Sequence, residues 1–367
     1  MILIKTERDT LLKPLLAVIG IVEKRHTMAI LSNVLIERRQ GILRFVASDL
    51  EIEITTQLPQ EMLGDDFSIT TSAAKLKDIL SSTADKAEVT LESKDDKLTI
   101  KAGKSRFNLQ CLPGDDFPLV KISAVQAEFS MPQRELKSLI HLVQYAMATQ
   151  DIRYYLNGLL MQAEGNEVRL VSTDAHRLAF ASATIDGNLE KTDVILPRKT
   201  IQELSKALQD SDDLIQVELL TNQVRFTFGS TVMVSKVIDG KFPDYKRVIP
   251  LDNQNILMVN RLAFLQSLKR ASILANEKFR GMRIVLKVGT MSIFCTNNEQ
   301  EEAQDELEIA YTGDEIDIGF NIQYIQDVLS NVSAEEVQLA FGDASRSALF
   351  TLPENTSFKY VVMPMRI

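Results

Sequence analysis

The chain repeats itself three times, and this periodicity limits its fold more than any other property of its 367 residues. Residues 42–54 (ILRFVASDLEIEI), 168–180 (VRLVSTDAHRLAF) and 291–303 (MSIFCTNNEQEEA) follow one pattern: an alternating apolar strand, Ser or Thr beside Asp or Asn, then a second strand. The turn residues Asp49, Asp174 and Asn297 stand 125 and 123 positions apart. Amphipathic stretches recur in phase at 7–22, 132–148 and 260–276, with apolar residues at i, i+3, i+4 and i+7, so each predicts a helix that buries one face. A second helix is predicted in each third, at 72–82, 197–209 and 320–332, and the remainder reads as short alternating strands. The Phe-Pro pairs at 117–118 and 242–243 are again 125 apart. A period near 122 residues is domain-sized, far longer than a solenoid repeat. Three α+β domains are therefore expected, at 1–122, 123–246 and 247–367. Pro14 falls inside the first helical pattern and predicts a kink or a short first turn there.

Composition narrows the class. Hydrophobic residues make up 45% and charged residues 25%, the balance of a soluble globular protein. No apolar run approaches the ~20 residues of a bilayer span, and the N-terminus turns charged after four residues. Neither a membrane helix nor a signal peptide is expected, and the location expected is cytoplasmic. Cys111 and Cys295 are the two cysteines and lack metal-site spacing, so neither a disulfide framework nor a zinc site is expected. The net charge of −9 argues by itself against a polyanion partner. The six helical segments nevertheless sum to +6, which leaves −15 for the rest. A protein with its helices on one side and its sheets on the other would then have a basic face able to hold nucleic acid through phosphates, without reading bases. The plainer alternative is that these lysines and arginines solvate exposed helix faces.

Catalytic signatures are absent. Gly103-Lys104-Ser105 has Leu98 where the leading glycine of a phosphate loop belongs, and neither a G-x-S-x-G elbow nor an H-E-x-x-H helix occurs. Of His26, His141 and His176, the last lies in a turn between Asp174 and Arg177. A local hydrogen-bonding turn is the simpler reading of that trio, with a catalytic Asp174–His176 pair as the alternative. An enzyme and a peptide-binding adaptor both remain open on these grounds.

Longer strings carry a resemblance. QDIRYYLNG (150–158), STDAHRLA (172–179), PRK (197–199), SKVIDGKFPDYKRVIP (235–250), NEKFRG (276–281), NNEQEEA (297–303) and YVVMPMRI (360–367) closely resemble the bacterial DNA polymerase III beta subunit family, the sliding clamps, along the whole chain. The resemblance implies a non-catalytic processivity factor without cofactor: a head-to-tail homodimeric ring of six modules, helices on the inner face around duplex DNA, antiparallel sheets outside. Twelve helices spaced about 10 Å apart would set their axes on a circle about 38 Å across and leave about 28 Å inside, enough for a duplex, whereas six would leave about 9 Å. The partners implied are duplex DNA, a second copy of the chain, the polymerase III alpha subunit, the clamp loader delta subunit, and other polymerases and repair factors that dock through short peptides.

By the same resemblance a peptide groove is expected between the second and third modules, from Leu156, Thr173, His176, Arg177, Leu178, Pro243, Arg247, Val248, Asn321, Tyr324, Ser345, Val361, Met363, Pro364, Met365 and Arg366. Apolar and adaptable side chains would form its floor, with Arg and His holding polar groups of the peptide. Ala175 stands where relatives commonly have Gly, and Ile367 where they have Leu. The expected DNA-side residues are Arg25, Gln150, Tyr154, Tyr155 and Lys199. The dimer contact would place the edge around Phe107 and Leu109 against Ile273 and Leu274, and Lys75, Lys97, Lys104 and Arg106 opposite Glu299, Glu301, Glu302 and Asp305. Basic residues in the first third and acidic ones in the last suit a heterologous interface that closes by rotation.

Overall fold

The computed structural model describes residues 1–23, 28–58 and 64–366. The first third runs β1 (Ile2–Glu7), α1 (Arg8–Val18), β2 (Asn33–Arg39), β3 (Ile42–Ser48), β4 (Ile52–Gln57), β5 (Phe67–Ser72), α2 (Ala73–Ser82), β6 (Glu88–Lys94), β7 (Lys97–Ala102) and β8 (Ser105–Pro113). The second runs β9 (Val125–Pro132), α3 (Gln133–Val143), β10 (Gly158–Thr173), β11 (Arg177–Pro197), α4 (Arg198–Ala207), β12 (Leu214–Leu220), β13 (Gln223–Phe228) and β14 (Thr231–Lys236). The third runs β15 (Asn255–Asn260), α5 (Arg261–Ala271), β16 (Gly281–Lys287), β17 (Thr290–Thr296), β18 (Glu302–Glu308), β19 (Ile316–Asn321), α6 (Ile322–Asn331), β20 (Glu336–Phe341), β21 (Ala348–Leu352) and β22 (Asn355–Val362). The order repeats with one variation: β10 and β11 each cover the ground of two strands in the other thirds, bent by register shifts around Gly165.

All six helices expected from periodicity are present. The first of each pair ends earlier than its apolar pattern, because α1, α3 and α5 tighten into one-turn 3-10 segments at Ile19–Ile21, Gln144–Ala146 and Ser272–Leu274. Pro14 does not break α1; its ring is buried with Leu11, Leu12, Leu15 and Val18. Asn260 and Asn321 cap α5 and α6, accepting the N–H of Ala263 at 3.0 Å and of Gln323 at 2.9 Å. Fully buried Leu and Ile side chains such as Leu76, Leu80, Ile325 and Leu329 each contribute about 1.5–3 kcal/mol. Among the described residues no helix is long and apolar enough to cross a membrane.

By contacts the chain forms two units, Met1–Arg134 with Gln202–Val237 and Glu135–Ile201 with Ile238–Ile367. The first holds a twelve-stranded sheet in the order β1-β6-β7-β8-β5-β2-β3-β4-β14-β13-β12-β9. The second holds a six-stranded sheet, β10-β11-β22-β21-β20-β15, and a four-stranded sheet, β18-β17-β16-β19. Every pairing is antiparallel, which suits sheets with one face on a helix layer and one in water. The contact units differ from the sequence repeats for a physical reason: β4 pairs with β14 and β11 with β22, so a continuous ladder crosses each boundary between repeats.

Candidate functional site

The turn between β10 and β11 organises the second unit. Asp174 Oδ1 accepts the backbone N–H groups of His176 and Arg177, both at 3.0 Å, and its Oδ2 accepts Arg177 Nε at 3.1 Å. Ala175 is held at φ 76°, a left-handed conformation that explains why glycine suits this position. The His176 side chain is exposed. With Asp174 committed to Arg177 and to the turn's own backbone, the catalytic Asp174–His176 alternative does not form.

Arg177 is drawn inward. Its Nη1 donates to Asp327 Oδ2 at 2.6 Å and to the Tyr360 hydroxyl at 3.5 Å, its Nη2 donates to the Tyr145 carbonyl at 2.7 Å, and its guanidinium lies 4.4 Å from the centre of the Tyr324 ring. Burial opposes the charge, yet Tyr360, Asp327 and Asp174 hold it, and the Arg177 pKa is raised. Burial likewise pushes the Tyr360 hydroxyl up. Little donor capacity is left on Arg177 for a peptide; it joins the β10–β11 turn to α6 as a strut.

Beside this strut lies an apolar floor. Leu178 and Val361 face each other across the β11–β22 ladder and are buried with Leu160, Val171, Phe180, Ile195 and Tyr245. Tyr155, Ile238, Phe242, Ile249 and Leu349 pack partly buried against them. The ladder continues into the tail, where Met363 N–H donates to His176 O at 2.9 Å and Met365 N–H to Gly319 O at 2.9 Å. Exposed side chains follow or precede its members in sequence: Met363 at 45%, Val248 at 40%, Pro243, His176, and Arg247 in a surface pair with Asp244 at 2.9 Å. Leu156 and Thr173 are buried nearby in sequence, while Asn321 is committed as a helix cap and Ser345 donates to Asp343 in the β20–β21 turn. Pro364 is half-buried and Arg366 exposed. Leu160, Val171, Phe180 and Tyr245, which share the cluster with Leu178 and Val361, carry no sequence signal beyond that of ordinary strand or loop residues.

The remaining expected positions divide. Tyr154 is 58% exposed, whereas Tyr155 packs against the floor. Gln150 is exposed at φ 57°, Lys199 lies half-buried in the first turn of α4, and Arg25, like Ile367, falls outside the described residues. Two helix cations are paired with carboxylates outside the helical segments, Arg134 with Asp212 and Arg270 with Asp305, so the helical excess is smaller locally than the sum suggests. Among the open strand edges of the described residues are those of β8 and β18. Ser105–Gln110 of β8 pairs on one side with β7 while pairing with β5 begins at Cys111, and β18 closes its four-stranded sheet. Lys75, Lys97, Lys104 and Arg106 are exposed, as are Glu299, Glu301 and Glu302; Phe107 is half-buried and Leu109 buried. Ile273 stands 78% exposed with Leu274 half-buried beside it. Asp305 sits in the opposite phase of β18, turned toward α5 and Arg270.

Comparison with known proteins agrees along the whole chain. Family models match in order: the DNA polymerase III beta subunit N-terminal domain at residues 2–121, its central domain at 130–244 and its C-terminal domain at 246–366. The beta sliding clamp of Pseudomonas putida is 41% identical over 364 residues, covering 98% of this chain and 99% of that protein. That of Escherichia coli K12 is 38% identical over 361 residues, with 98% and 99% covered. Among solved structures, a Pseudomonas aeruginosa DNA polymerase sliding clamp with ligand superposes at a TM-score of 0.97 with 39% identity, covering all of both chains. A Caulobacter crescentus beta sliding clamp, with PEG bound to its putative beta-motif tethering region, superposes at 0.94 with 36% identity, covering 99% and 98%. On this evidence of order, length and fold, the chain belongs to the DNA polymerase III beta subunit family.

Proposed function

We propose that the chain is a DNA polymerase processivity factor that encircles duplex DNA as a head-to-tail homodimer and tethers its partners through the floor and rim around Leu178, Val361 and Met363. The observation that carries this reading is the in-order match of all three repeats to the family, with full coverage of sliding clamps. The mechanism is topological: a closed ring leaves a linear track by opening or by sliding off an end, so a tethered polymerase stays at high effective concentration near the primer terminus. No bond needs to be made or broken by the chain itself. Weak, water-mediated phosphate contacts permit sliding, since no register on the duplex is favoured over the next.

The open edges support the closure. The β8 edge, with Lys75, Lys97, Lys104 and Arg106 near it, complements the β18 edge with Glu299, Glu301 and Glu302, while Ile273 supplies an exposed apolar anchor. Three domains at 1–122, 123–246 and 247–367 form the half-ring in this reading. The partners proposed are the polymerase III alpha subunit, the clamp loader delta subunit and repair factors carrying short apolar peptides, which suit a floor with a Met363 rim. DNA-side contacts are assigned to Gln150, Tyr154 and Lys199, with Arg25. The deciding experiment loads the protein onto nicked circular DNA with a clamp loader, then linearises the circle. Retention on the circle and loss from the linear form is expected; equal retention on both rejects topological binding.

A further inference from the structure

Three rim residues of the proposed groove, Pro243, Arg247 and Val248, sit on a stretch whose own backbone bonds are local. Arg247 N–H donates to Asp244 O at 3.3 Å and Val248 N–H to Tyr245 O at 3.1 Å, and the Asp244–Arg247 ion pair is exposed. A one-turn helix, Tyr245–Arg247, has no stability of its own. Phe242 and Ile249 flank it and pack partly buried against the floor cluster, and between them Tyr245 is 5% exposed within that cluster, its ring 5.9 Å from that of Phe180 and its hydroxyl the one polar group of the three side chains. The Tyr245 hydroxyl donates to Gln162 Oε1 at 3.0 Å.

Gln162 is 3% exposed on β10, and both the nitrogen and the oxygen of its amide are hydrogen-bonded. Nε2 donates to Asp193 Oδ1 at 2.8 Å, across the ladder, and Oε1 also accepts Arg169 Nη1 at 3.0 Å. Arg169 is itself fixed by Glu164 and Glu167, each at 2.8 Å. The amide cannot be reversed, because its NH₂ would then face the Arg169 guanidinium and its oxygen the Asp193 carboxylate. An apolar residue would fill this buried place without desolvating an amide, so what the glutamine adds is direction.

We propose that Gln162 is a positioning residue for peptide binding: through the Tyr245 hydroxyl it sets the height and orientation of the 243–248 rim above the apolar floor. The proposal rests on the peptide-groove reading above. It deepens that reading by tying groove geometry to a polar network whose other members, Asp193, Arg169, Glu164 and Glu167, are not groove residues.

The test uses the full-length protein and a fluorescein-labelled peptide from the polymerase alpha subunit, read by anisotropy and by dissociation rate. Tyr245→Phe removes the hydroxyl alone and should raise Kd about fivefold, chiefly through faster dissociation. Gln162→Glu sets two carboxylates side by side and should weaken binding; adding Asp193→Asn restores a donor opposite an acceptor and should return Kd to within about twofold of wild type. Retention on circular DNA should be unchanged throughout. Wild-type affinity in Tyr245→Phe, with binding lost in Met363→Ala, overturns the positioning role and leaves the groove intact. Wild-type affinity in both variants overturns the groove reading itself. Failure of the Gln162→Glu/Asp193→Asn pair to recover, or a matching loss of DNA retention in Tyr245→Phe, also overturns the positioning role.

Discussion

Arg177 shows how a side chain expected at a binding surface is turned to internal use. The resemblance places it in the peptide groove; its hydrogen bonds and ring contact place it between the β10–β11 turn and α6. Arg177→Ala should therefore destabilise the protein by about 1–3 kcal/mol, since the half-buried Asp327 and Asp174 carboxylates lose their charged donor, and urea unfolding will measure it. Retained stability with lost peptide affinity would instead mark Arg177 as a peptide contact. Two residues away, Ala175 holds φ 76° without being glycine. Relief of a left-handed conformation outweighs the added chain entropy of glycine, so Ala175→Gly should stabilise by about 0.5–1 kcal/mol in the same assay. The turn was legible in the sequence because Asp174 and its neighbours are local. The strut was not, because Asp327 and Tyr360 lie 150 and 183 residues downstream with no periodic signal to link them.

At the scale of elements, the two boundaries between repeats are built alike and then diverge. Lys236 N–H donates to Glu51 O at 2.8 Å at the first, as Met363 N–H donates to His176 O at 2.9 Å at the second. Asp49 Oδ1 accepts from Glu51 and Ile52 as Asp174 accepts from His176 and Arg177. Leu178 is buried opposite Val361 in the β11–β22 ladder, but Glu53 takes the corresponding place opposite Val234 in the β4–β14 ladder and accepts Val120 N–H at 2.8 Å. Burial raises the Glu53 pKa above the ordinary carboxylate value. A raised carboxyl pKa favours the folded state most below the unfolded pKa and disfavours it progressively as pH rises through the folded one. Glu53→Gln keeps an acceptor for Val120 and removes the charge, so it should be more stable than wild type at pH 7, with the gap closing at pH 4. Paired denaturation curves at the two pH values check the sign. Helices and turns were readable here because their periods are short. The fusion of strands into β10 and β11 was not, since the sequence predicts short alternating strands while the backbone absorbs the polar residues around Gly165 as bulges in a longer ladder.

For the whole molecule the test is association. Ile273 and Leu274 changed together to Ala should yield monomers, because truncating two apolar anchors costs about 2–4 kcal/mol of binding; sedimentation velocity that still shows dimers would contradict the interface proposed. Salt should weaken the charge complementarity of Lys97, Lys104 and Arg106 with Glu299, Glu301 and Glu302, so the dimer dissociation rate should rise with ionic strength. Triplication and composition were enough to give three α+β copies from sequence. The direction of closure proposed rests on the resemblance, since open edges such as β8 and β18 are recognised only once strand order is known.

The ladders that cross from one repeat to the next carry a further implication. The sequence repeats in copies of about 122 residues, whereas contacts group the chain into two units, each joined by a ladder between strands of neighbouring copies. A single copy cut out at its sequence borders would leave β4 or β14, β11 or β22, as raw edges prone to aggregate. Calorimetry of the intact chain should accordingly resolve melting into two blocks, never into three.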